Sequence, residues 1–160
     1  MDTEFKSVNT ETYLECFRKI FMANAYEFLE KSFANERDKC YKMLDSALSS
    51  VKIVAINTNG TIDIEGDLIV NFALEYLPDI RSLKGNFICC SNPYITTLEH
   101  SPSIVTGDFT CSNNPNLQSL EGSPKFVGGD FYCKCNPLLI STEGSPTTVR
   151  GHTSLEVNDN

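Results

Sequence analysis

Five cysteines in the second half of the chain, Cys89, Cys90, Cys111, Cys133 and Cys135, are the residues best equipped for chemistry. A zinc site wants paired thiolates, commonly Cys-x-x-Cys, converging on one point. Here Cys89, Cys111 and Cys133 recur instead at intervals of 22 residues. Residues so spaced occupy one position of a repeat, and a free thiol is a good small core residue. The expectation is a packed, reduced, metal-free column, with Cys90 and Cys135 off it and exposed. The two histidines, His100 and His152, share no repeat position, and neither accompanies a serine or cysteine nucleophile motif. Gly128-Gly129 recurs with the repeat and reads as turn, not phosphate cradle. No nucleophile, base and orienting group can be assembled, so no catalytic residue, cofactor or metal is expected.

The acids form rows. Glu99, Glu121 and Glu143 share one repeat position, and Asp108 and Asp130 share another, beside Asn86 and Asp67. A row of carboxylates could hold a basic partner or a cation. For the glutamates, which flank Ser-Pro turns, the expectation is that each carboxylate caps turn amides in its own coil.

Three gap-free segments set these positions. They are Gly85-Asn-Phe-Ile-Cys-Cys-Ser-Asn-Pro-Tyr-Ile95, Gly107-Asp-Phe-Thr-Cys-Ser-Asn-Asn-Pro-Asn-Leu117 and Gly129-Asp-Phe-Tyr-Cys-Lys-Cys-Asn-Pro-Leu-Leu139. Each leads to Ser-Pro and a valine: Val105, Val127 and Val149. A degenerate start stands at Gly151-His-Thr-Ser-Leu155, and an earlier one at Gly66-Asp67-Leu68, offset by 19 residues. Self-similarity at this period means a solenoid with atypical terminal coils. Phe and Cys two apart point to one side of a strand. Phe87, Phe109 and Phe131 should form one internal ladder, and the three repeat cysteines another. Asn92, Asn114 and Asn136 end each strand, where a buried amide can satisfy backbone groups that the turn leaves unpaired. Outward positions vary: Ile88, Thr110 and Tyr132 in one row, and Cys90, Ser112 and Lys134 in the next.

The unit Phe-x-Cys-x-x-Asn, with an apolar residue three later, resembles the leucine-rich-repeat signature Leu-x-Leu-x-x-Asn-x-Leu. Its longer form also looks like repeats of tailed-bacteriophage and bacterial proteins. The likeness covers about residues 66–155 and implies a fold with binding surfaces and no reaction.

Upstream, Tyr13, Leu14, Phe17, Ile20, Phe21, Phe28 and Leu29 recur at helical spacing, as do Cys40, Met43, Leu44, Ala47 and Leu48. No Gly or Pro precedes Gly60, as helices require. Val51–Ile56 is β-rich, Asn59-Gly60 signals a turn, and residues 61–64 alternate with period two. The fold class expected is α+β: a helical cap over residues 1–50, then a short right-handed leucine-rich-repeat-like β-solenoid of about four coils over 51–160, with clear repeats at 85–150.

The net charge of −8 argues against nucleic acid and anionic membrane. It suits a protein partner, a basic one especially. The polar, acidic start reads as no secretory signal, and the cytoplasm is the expected compartment, the host's if the chain is phage-encoded. The expected function is a non-enzymatic protein-binding module. A phage origin would direct it at a host protein such as a defence factor. The alternative is an acidic nucleic-acid mimic that inhibits a nuclease or its regulator. Ile88, Asp108, Thr110, Asp130, Tyr132 and Lys134 are the expected partner-binding residues.

Overall fold

A computed structural model describes Ala47, residues 50–71, Ala73, Leu74, Leu77 and residues 79–158. Their elements are eleven strands: β1 (Lys52–Ile56), β2 (Ile62–Glu65), β3 (Leu68–Ile69), β4 (Ile80–Lys84), β5 (Phe87–Ile88), β6 (Ile104–Val105), β7 (Phe109–Thr110), β8 (Phe126–Val127), β9 (Phe131–Cys133), β10 (Thr148–Val149) and β11 (Thr153–Leu155). They make a β-solenoid of two sheets. One is six-stranded, in the order β1-β2-β4-β6-β8-β10, and the other five-stranded, β11-β9-β7-β5-β3. Each coil gives one short strand to each sheet and returns through a longer loop. All pairings are parallel except β1 with β2. Among the described residues no helix is long and apolar enough to cross a membrane.

The α+β expectation is corrected. The elements of the described residues are all strands, and the leading edge of the six-stranded sheet is closed by an antiparallel strand, β1, not a helix. The helical periodicity rested on residues 10–48, which lie outside the described residues except for Ala47. The second sheet was also not anticipated. Val105, Val127 and Val149 are strand residues stacked in register with Leu83. Two-residue strands are too short to show an alternation, so their sequence signal is only the repeat itself.

Inside, register turns each repeat position into a ladder. Leu68, Phe87, Phe109 and Phe131 are paired in sequence. The first step spans 19 residues, as the offset of Gly66-Asp67-Leu68 anticipates. The rings of Phe87 and Phe109 stack at 4.8 Å and 7°, and those of Phe109 and Phe131 at 5.7 Å and 21°. Stacked strands impose this spacing. All three rings are buried, each contributing about 1.5–3 kcal/mol. Cys89, Cys111 and Cys133 follow on the same side, also buried, and Ile95, Leu117 and Leu139 line the turn behind them.

The turn after each five-stranded-sheet strand is held by its asparagine. Asn114 Oδ1 accepts the amide of Asn92 at 2.8 Å, and its Nδ2 donates to the carbonyl of Cys89 at 2.9 Å. Asn136 repeats both bonds, to the Asn114 amide and the Cys111 carbonyl, at 2.9 and 3.0 Å. One coil on, Asn158 donates to the Asn136 carbonyl at 2.7 Å. The residue before each ladder asparagine is left-handed: Ser91, Asn113 and Cys135 have φ of 53°, 59° and 56°. That conformation costs an ordinary side chain roughly 1–2 kcal/mol. The buried bonds of the next residue hold it there.

At the other end, β1 and β2 form a hairpin around Asn57, whose amide donates to Thr61. The step from β2 to β4 contains an irregularity between Ile62 and Asp63. There the buried Asp63 carboxylate accepts a two-pronged bond from the Arg81 guanidinium and a 2.8 Å bond from the Ser82 hydroxyl. These donors, Arg81 foremost, hold Asp63 down to about 2 against the opposing effect of burial.

Two outcomes follow from these ladders. Asn114→Ala should lose about 1–3 kcal/mol in chemical denaturation, because it strands buried backbone groups. Asn113→Gly should lose far less, since glycine accepts φ of 59°. Equal denaturation midpoints for the two would refute the ladder. For Asp63 the sign is that of a depressed acid. Its contribution is complete above the unfolded value of about 4 and disappears as pH falls toward about 2. The melting-temperature gap between wild type and Asp63→Asn should therefore shrink across that window. A gap independent of pH would contradict it.

Candidate functional site

The outer face of the five-stranded sheet is the best-formed candidate. Its central row is Ile69, Ile88, Thr110, Tyr132 and Ser154, aligned by strand register. Ile69 is 51% exposed, while Ile88, Thr110 and Tyr132 are half-buried. All six residues expected to bind a partner lie on this sheet or its border: Ile88, Thr110 and Tyr132 in the row, Asp108 and Asp130 before it, and Lys134 after it.

The aspartates prove to have a structural task that their spacing alone did not disclose. Each coil passes from one sheet to the other through a tight corner, Gly107-Asp108 in one coil and Gly129-Asp130 in the next. There Asp67 Oδ1 accepts the Asn86 amide, Asn86 Oδ1 the Asp108 amide, Asp108 Oδ1 the Asp130 amide, and Asp130 Oδ1 the His152 amide, all at 2.7–2.9 Å. The glycines are needed because a Cβ on Gly129 would stand 2.9 Å from the backbone carbon of Gly107 and closer still to Asp108. The second oxygen of each aspartate takes no part in this column. Asp130 uses that one too: the Tyr132 hydroxyl donates to Oδ2 at 2.6 Å. The bond holds Asp130 below the ordinary carboxylate range, helped by the His152 amide, and raises the Tyr132 hydroxyl. Tyr132 is thus held in one orientation by its hydroxyl. Lys134 pairs with Glu156 at 3.3 Å, and its amide donates to the Ser112 hydroxyl.

The expectation for the glutamates is corrected. Their carboxylates take no hydrogen bond among the described residues. The turn amides of Glu99, Glu121 and Glu143 are capped instead by Thr97, Ser119 and Ser141, two residues earlier. A short hydroxyl two residues back reaches its own turn more directly. The three carboxylates are left exposed in a column.

Two of the three core thiols are poor nucleophiles, while Cys133 is held below its ordinary value by a hydrogen bond with Cys111. Burial pushes the Cys89 thiol up to about 12 and raises Cys111 well above its ordinary value, and the thiolate is the reactive form. Cys135 is exposed, as expected, whereas Cys90 is half-buried. Among the described residues no three His, Cys, Asp or Glu side chains form a group able to hold a metal ion. A polar cleft of about 190 Å³ opens between the first two coils, lined by Leu74, Tyr94, Thr96, Glu99 and His100 among others. Its His100 has φ of 70°, at the position filled by Gly122 and Gly144 in later coils.

The aspartate ladder predicts an asymmetry at Asp108. Asp108→Asn keeps the accepting oxygen, as Asn86 already does one coil earlier, and should melt within about 0.5 kcal/mol of wild type. Asp108→Ala should lose about 1–2 kcal/mol. Equal loss in both, measured by denaturant titration, would mean that the charge and not the hydrogen bond matters. Comparisons with protein-family models, with curated proteins and with solved structures find no match to this chain.

Proposed function

We propose that the solenoid is a non-catalytic protein-binding module whose partner seats on the outer face of the five-stranded sheet. One observation carries this reading. Facing the core, the sheet repeats one residue type from coil to coil, phenylalanine and then cysteine, while facing out it changes from Ile88 to Thr110 to Tyr132. A rigid scaffold with a varied outer face is how repeat folds build recognition surfaces. Tyr132, oriented by Asp130, supplies an aromatic anchor of the kind that dominates interfaces. Ile69 and Ile88 supply apolar area, and the exposed Asp67 and half-buried Asp108 favour a partner with basic groups. The likeness to leucine-rich repeats and to tailed-phage repeats extends the reading to a host protein, a defence factor included, met in the cytoplasm.

The test is capture of a partner from cells of origin by the wild-type chain, repeated with Tyr132→Ala and Thr110→Arg. Asp130→Asn is the suitable change at the neighbouring position, since it preserves the corner bond to His152 that Arg would break. Tyr132→Ala and Thr110→Arg should keep the thermal melt and lower recovery at least about tenfold, the effect of an interface anchor. Recovery that withstands high salt fits a packed apolar contact, whereas steep loss with salt fits a charge mimic. Undiminished recovery by both variants would remove this face from consideration.

A further inference from the structure

The cations of the described residues are gathered on the other sheet. Of the six Lys and Arg residues between 51 and 160, five belong to the six-stranded sheet or its strand ends: Lys52, Arg81, Lys84, Lys125 and Arg150. All five are exposed. Arg81 and Lys84 are answered by Asp63 and Glu65. Lys125 and Arg150 have no ion-pair partner among the described residues. Beside them runs an apolar strip. Ile104 is 37% exposed and pairs in register with Phe126, and the Arg150 guanidinium stands 5.4 Å from the Phe126 ring centroid. The scaffold demands none of these residues. Ser103 and Thr147 occupy the Lys125 position in neighbouring coils, Thr106 and Gly128 the Arg150 position, and Thr148 follows Ile104 and Phe126 in their row.

The sign of this face opposes that of the whole. The chain carries −8, and the five-stranded sheet shows Asp67, Asp108, Asp130 and Glu156 against one cation, Lys134. We propose that the outer face of the six-stranded sheet is a second docking surface, and that its occupant is an acidic protein segment. The segment lies across β6, β8 and β10. Its carboxylates meet Lys125 and Arg150, and an apolar side chain rests on Ile104 and Phe126. Charge complementarity selects it. A second copy would bring another −8 into contact. A long nucleic acid would extend past the cationic face into the negative field of the remainder. A short acidic segment touches the cationic face alone. This surface is separate from the face proposed above, so either can fail without the other.

The test is fluorescence anisotropy on the full chain with a short fluorescein-labelled peptide of glutamates around one central phenylalanine. Its glutamine counterpart and a single-stranded oligothymidylate of equal charge are the comparison probes. The acidic peptide should bind saturably and more weakly as salt rises. The double change Lys125→Glu with Arg150→Glu should weaken it at least about tenfold. The milder pair Lys125→Gln with Arg150→Gln should give an intermediate loss, and Thr110→Arg on the other sheet none. Thermal melts of all variants are compared first, and both replaced side chains are exposed. No binding, equal binding of the glutamine peptide, loss with Thr110→Arg, or tighter binding of the oligonucleotide would each overturn the proposal.

Discussion

Wherever a coil enters or leaves a strand of the five-stranded sheet, backbone groups would face the stack with nothing in their own coil to bond. Side chains of adjacent coils meet that need at both ends of the sheet. At the corner, the Asp or Asn after each glycine accepts the amide of the next coil. At the turn, the buried asparagine accepts the amide and donates to a carbonyl of the preceding coil. An unpaired buried backbone group costs about 1–3 kcal/mol, a large share of the stability of a small domain. The core can therefore stack in only one register, the one that satisfies both columns.

The apolar ladders follow from that register. Phenylalanine falls on phenylalanine and cysteine on cysteine, and the coil closes over Val105, Val127 and the leucines of the turn. Identical residues stack well because the spacing between strands matches the contact distance of aromatic faces. The last coil departs from the pattern. Thr153 stands at the phenylalanine position and Thr142 at the position of Leu98 and Leu120, and both are exposed.

With both inner columns satisfied within the fold, the outer faces are relieved of structural duty, and they diverge in sign. The five-stranded sheet presents one tyrosine, oriented by Asp130, together with Asp67 and Asp108. The six-stranded sheet presents cations around Ile104 and Phe126. The two proposed docking faces therefore carry opposed fields.

The period, the buried Phe, Cys and Asn positions and the shortened first step were all legible from residues 66–155, because a repeat reports its own register. The outward placement of Ile88, Thr110 and Tyr132 was legible too, from the alternation of side chains along a strand. The helical periodicity of residues 10–48 falls, except for Ala47, outside the described residues, whose architecture is built from strands alone. The second sheet escaped notice since Ile104-Val105 and Phe126-Val127 are too short to show any period. The task of Asp108 and Asp130 escaped because their partner amides lie 22 residues away. Separation along the chain likewise hid the gathering of Lys84, Lys125 and Arg150. Composition and spacing determined what each coil contains. Which backbone amide meets which carboxylate, and which charges share a face, were decided only when the coils stacked, because those contacts join residues remote in the chain.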